Sequence, residues 1–171
     1  MISESDVSYQ NWEFFLRKFR KQTVKIYFQG GVLAKKISIF GSGFSLKDDS
    51  QKDGTIFSVL EIKEAEFDIP NSFMCKISNK EWKGKYMTRD NRNKDSSSFG
   101  YNSKGGELIK VNLVTPFDEI FSQGMKKFKV RFFVEGKDKT FGTYFGVYSD
   151  KRNVKWGHES RAEIVDIELI N

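Results

Sequence analysis

The spacing of hydrophobic positions changes character near residue 22, from the three-and-four recurrence of a helix to the alternation of strands. Trp12, Phe15, Leu16 and Phe19 fall on one side of a helix predicted over 9–21, with Phe14 off that stripe. Arg17, Lys18, Arg20 and Lys21 gather at its end, where cations complement the helix dipole.

From Thr23 the period is two. Val24, Ile26 and Phe28 predict a first strand, Gly30-Gly31 a reversal, and 33–40 a second strand. Gly41-Ser42-Gly43 reads as a bulge or tight bend before Phe44 and Leu46, and 47–54 as a polar loop. The stretch 55–69 alternates throughout except at Lys63-Glu64, where the phase slips and a bulge or sheet corner is expected. Pro70-Asn71 ends it, and shorter strands follow at 73–77 and 82–87.

Residues 88–106 offer almost nothing to bury and are expected to form a long exposed loop. Alternation resumes over 108–114, Pro116 opens a helical turn that Gly124 closes, and 127–134 and 139–148 flank Glu135-Gly136-Lys137-Asp138 as a hairpin with a two-residue turn. Closing strands are expected at 154–156 and 162–170. The pattern predicts a mainly β, single domain over 1–171: an antiparallel β-sandwich or barrel of about nine strands with one short N-terminal helix.

Composition agrees with a folded chain. Seventeen Phe against two Pro suit aromatic packing on pleated surfaces, and 171 residues suffice for one core without disulfides. Cys75 is the sole cysteine, the opening MISESDVSYQNWE lacks the features of a signal peptide, and no apolar run is long enough for a membrane helix. A cytoplasmic protein with no membrane association is expected.

Charge adds the main functional pointer. The net charge is +6, and residues 126–161 hold ten Lys and Arg against four acids, which accounts for all of it. In the expected hairpin Val134 pairs with Lys139, which places Phe128, Val130 and Phe132 on a core face. The outward face then carries Lys127, Lys129, Arg131 and Phe133 beside Gly142, Tyr144, Gly146 and Tyr148. Alternating cations and rings suit a nucleic acid, single-stranded by preference, whose bases stack while its phosphates are neutralised. Arg89, Arg92, Lys94 and Lys104 in the expected loop, with Arg17 and Lys18 of the helix, would extend that surface. The alternative is a small inhibitor or assembly domain that meets an acidic protein surface.

Catalytic signals are few. One histidine, His158, rules out a two-histidine metal site, and Cys75 lies in a strand pattern that suits a buried inert thiol. Glu61-Ile62-Lys63, with Asp48, Asp49 and Asp53 upstream, resembles the acid-x-lysine element of Mg²⁺-dependent nucleases, although the following residues read as strand rather than helix. The reading of the chain is therefore a binding module with no cofactor, and a nuclease is the minor alternative.

Overall fold

The computed structural model describes residues 4–20, 22–28, 31–38, 41–47, 58–64, 69–80, 86–90, 97–102, 106–134, 144–148, 153–157 and 163–170. For residues 4–8, 34–38, 41–47, 64, 88–90, 97–102, 144–148 and 153–157 the backbone alone is described. The elements run α1 (Glu4–Phe19), β1 (Thr23–Phe28), β2 (Gly31–Ser38), β3 (Gly41–Lys47), β4 (Ser58–Glu64), β5 (Ser72–Asn79), β6 (Tyr86–Asp90) and β7 (Ser97–Asn102). They continue with β8 (Ile109–Leu113), α2 (Phe117–Gln123), β9 (Lys127–Val134), β10 (Tyr144–Tyr148), β11 (Asn153–Gly157) and β12 (Val165–Ile170).

Six of these strands close a ring. β1 pairs with β12, β12 with β9, β9 with β8, β8 with β5, β5 with β4, and β4 returns to β1, every pair antiparallel. The choice between sandwich and barrel thus falls to a barrel. Closure removes the open edges of these strands and turns one face of each inward. On β9 the inward set is Phe128, Val130, Phe132 and Val134, all buried, and Phe73, Cys75, Ile77, Ile109, Val111, Val165 and Ile167 join them from neighbouring strands.

The remaining strands leave the ring where a barrel strand changes partner. β1 pairs with β4 at Thr23 and Val24 but with β2 at Tyr27 and Phe28. One edge of β9 pairs with β12 up to Val130 and meets β10 at Phe133, while β8 pairs with its other edge from Val130 to Val134. β2, β3, β11 and β10 form the extension, and β7 links it to β6 and β5.

Helix α1 stops one mouth of the barrel. Trp12, Phe15, Leu16 and Phe19 are buried as their spacing predicts. Trp12 meets Phe73 at the start of β5 and Phe117 of α2, while Phe15 and Phe19 meet Phe128 at the start of β9. These tilted and edge-to-face rings, with centres 5.2 to 6.2 Å apart, add to the area they bury. α2 spans the same mouth between β8 and β9, follows Pro116, and ends at Gly124, whose left-handed φ of 57° lets its N–H reach the carbonyls of Ile120 and Phe121.

The slip expected at Lys63-Glu64 is present: the β4–β5 register shifts between Ile62 and Glu64. Other boundaries differ. α1 begins five residues before the expected start because residues 4–8 carry no apolar period to announce it, and it ends at Phe19, after which Arg20 bridges Leu60. The reversal expected at Gly41-Ser42-Gly43 falls just before it: these residues begin β3, which runs antiparallel to β2 from Ser38↔Gly41 to Val32↔Lys47. Within 88–106, expected as loop, β6 and β7 pair from Tyr86↔Asn102 to Asp90↔Ser98. The start of β6 falls in the strand expected at 82–87; backbone pairing needs no apolar side chain, so β7 and the continuation of β6 past Met87 leave no periodic trace. Twelve strands are present among the described residues.

Candidate binding surfaces

The outward positions of β9 are those the alternation assigns. Lys127, Lys129 and Arg131 are exposed and Phe133 is half-buried, while the residues between them are buried. The strand is tied on both sides, so the row is rigidly spaced at about 6.5–7 Å from one outward residue to the next.

Its neighbours are not the expected ones. β12 sets Glu168 opposite Lys127 and Asp166 opposite Lys129. The Lys129 Nζ donates to Asp166 Oδ1 at 3.2 Å, and the Lys127 Nζ lies 4.2 Å from the centre of the Tyr27 ring, whose hydroxyl donates to Glu168 Oε1 at 3.0 Å. Lys25 of β1 faces Glu168 from the other side. Glu168 therefore sits between Lys127 and Lys25, and Asp166 between Lys129 and Tyr27. Further along, Arg131 stands opposite Asn112, and Lys110 of β8 places its Nζ 5.0 Å from the Phe133 ring centre. The exposed Val114 donates its backbone N–H to the Lys129 carbonyl at 2.9 Å.

The expected hairpin register is not observed. It would set Tyr144 opposite Lys129, but Tyr144 stands opposite Phe133, four positions along. β12 already occupies that side of β9 up to Val130, so β10 can reach only the end of the strand. The two-residue turn expected at 135–138 lies outside the described residues. The shift is even, so the inward and outward faces of β9 are unchanged. Tyr148 pairs with Asn153 on β11, away from β9.

The other candidates divide. Arg17 pairs with Glu13 at 3.7 Å, and the Lys18 Nζ lies 5.0 Å from the Phe14 ring centre, both on the mouth of the barrel. Arg89 lies in β6 with its backbone alone described, while Arg92, Lys94 and Lys104 lie outside the described residues, as do Lys21, His158 and Asp48, Asp49 and Asp53.

Of the enzyme-like elements, Glu61 accepts from the Tyr86 hydroxyl at 3.2 Å and lies 3.9 Å from the Lys63 Nζ. The Glu61 charge beside it pushes the Tyr86 phenol up. Among the described residues no group of three His, Cys, Asp or Glu is placed to hold a metal ion. Cys75 is fully buried in the barrel, and that burial pushes its thiol far up.

One feature went unread in the sequence. Between α1 and α2 lies a groove of about 350 Å³ walled by Phe14, Phe121, Met125 and Leu169, with Lys18 and Lys126 on its lining. Its signal was Phe14, an aromatic residue off the buried stripe, which is 53% exposed. No helix among the described residues is long and apolar enough to cross a membrane. No known family model, curated protein or solved structure matches the chain.

Proposed function

We propose that the protein is a non-catalytic binding module that takes a single-stranded nucleic acid along the outward face of β9. The observation that carries this reading is the exposed row Lys127, Lys129 and Arg131, which ends on the ring of Phe133. Phosphates would follow the cations, and a base would stack near Phe133, a contact worth about 1–3 kcal/mol. Lys110 and the backbone position of Tyr144 widen the ring-bearing end.

Asp166 and Glu168 compete with phosphate for the first two lysines. An exposed ion pair of the Lys129–Asp166 kind contributes about 0–1 kcal/mol, so a phosphate can displace the carboxylate at small cost. Arg131, opposite the neutral Asn112, meets no such competition within its register.

The test is the salt dependence of binding to short labelled single-stranded oligonucleotides. Three phosphate contacts predict a slope of about −2 in log affinity against log salt. Absence of any complex at about 50 mM salt, where those contacts are strongest, removes the reading.

A second reading is an acidic protein surface, as in a small inhibitor or an assembly domain. The ion pair of Lys129 with Asp166, beside Lys25 and Lys127 set opposite Glu168, favours it, because this face already pairs a lysine with a carboxylate. Capture of a protein that persists after nuclease treatment and is lost with Lys129→Glu and Arg131→Glu would select it.

A further inference from the structure

We propose that the groove between α1 and α2 binds one anionic amphiphile, an acyl chain ending in a carboxylate, with its chain along Phe14, Phe121, Met125 and Leu169 and its head at Lys18 and Lys126. This site is separate from the β9 row and does not depend on the nucleic-acid reading.

The shape comes first. A volume of about 350 Å³ lies within the range of small-molecule sites, roughly 300–1,000 Å³. α2, the shorter wall, has seven residues and is therefore about 10 Å long. A specific protein interface buries about 800 Å² on each partner, far more than a trough of that length offers. A single chain of methylenes matches it better than a partner helix does.

The walls are apolar and unsatisfied. Phe14 stands 53% exposed, held edge-on against Phe121 with ring centres 6.2 Å apart. Covering this ring removes apolar area from water, which is the main favourable term for an acyl chain. Met125 supplies an adaptable side chain where the ligand must be followed closely.

The charge selects the head group. Among the described residues lining the groove are two lysines and no acid. The Lys18 Nζ sits over the Phe14 ring, so the cation and the apolar wall adjoin. A carboxylate there gains charge-assisted hydrogen bonds, whereas a neutral head gains none of that strength and a cationic head is repelled.

Laurate serves as the probe, titrated calorimetrically and by displacement of anilinonaphthalene sulfonate fluorescence, with methyl laurate as the uncharged control. The expected result is one laurate per chain, with affinity at least about tenfold weaker for methyl laurate and for the double variant Lys18→Met with Lys126→Met. Methionine keeps the apolar stems, so circular dichroism and the melting temperature should match the parent. Phe14→Ser should weaken laurate and its ester by similar factors, since it removes wall rather than charge. Equal affinity for acid and ester, several laurates per chain, no binding, or full affinity in the lysine variant each overturns the proposal. These outcomes leave oligonucleotide binding by β9 untouched, so the two readings fail separately.

Discussion

Lys129 and Asp166 face each other across β9 and β12 and close an ion pair at 3.2 Å on the outer wall of the barrel. An acid from the C-terminal strand is thereby set inside the basic segment. Asp166→Asn should leave stability nearly unchanged, since the Lys129 side chain is 57% exposed and such pairs are worth about 0–1 kcal/mol before screening. If phosphates contact β9, the same substitution should raise oligonucleotide affinity a few-fold in fluorescence anisotropy. An unchanged affinity would show that the ligand does not reach Lys129.

Adjacent residues of β9 should respond in opposite ways. Phe132→Ala removes a buried ring from the barrel and should cost about 3–5 kcal/mol in urea unfolding. Lys129→Glu with Arg131→Glu alters two exposed positions, so melting should shift little while oligonucleotide binding is lost. Destabilisation by the charge pair comparable to Phe132→Ala would contradict the inward and outward assignment.

Cys75 links stability to alkaline pH. Burial raises its thiol in the folded chain, whereas in the unfolded chain it ionises near its ordinary value of about 8.5. Above that pH the unfolded state has released a proton that the folded state keeps, so stability falls as pH rises. The loss approaches about 1.4 kcal/mol per pH unit, and the contribution is fully retained below about pH 8. Urea titrations between pH 7.5 and about 10 should show this slope in the parent and its loss in Cys75→Ala. The native thiol should also resist a thiol-specific chromogenic reagent until the protein unfolds.

Two glycines with left-handed backbones separate conformational strain from steric conflict. At Gly124, φ 57°, an added Cβ meets nothing within 4 Å, so alanine should cost only the conformational penalty of about 1–2 kcal/mol. At Gly106, φ 64°, the added atom would collide with the Tyr86 Cβ and lie 2.8 Å from the Met87 carbonyl oxygen, both part of β6. Gly106→Ala should therefore lose more than Gly124→Ala by equilibrium unfolding. Equal losses would place no weight on the Gly106–Tyr86 contact.

The legible part of the fold was the part written in apolar periodicity. Trp12, Phe15, Leu16 and Phe19 marked α1, the alternation of 127–134 marked both faces of β9, and the broken phase at Lys63-Glu64 marked a bulge. In each case burial of one face demands a spacing, and the spacing is visible. β7 and the extension of β6 beyond Met87 leave no such mark, because hydrogen-bonded backbone can join polar residues that carry no such demand.

The candidate sites show the same division more sharply. Local sequence alone determined that Lys127, Lys129 and Arg131 point away from the core, because a period of two admits only two faces. Which strands lie beside that row was a tertiary decision. Closure of the barrel brought Asp166 and Glu168 from the far end of the chain against the lysines, and it left β10 only Phe133 to pair with. The groove likewise exists only because α1 and α2, about a hundred residues apart, cover one mouth of the barrel and leave Phe14 between them and water. Periodicity records which face of an element is buried; it holds no record of which element does the burying, since any apolar surface of the right shape satisfies the same demand.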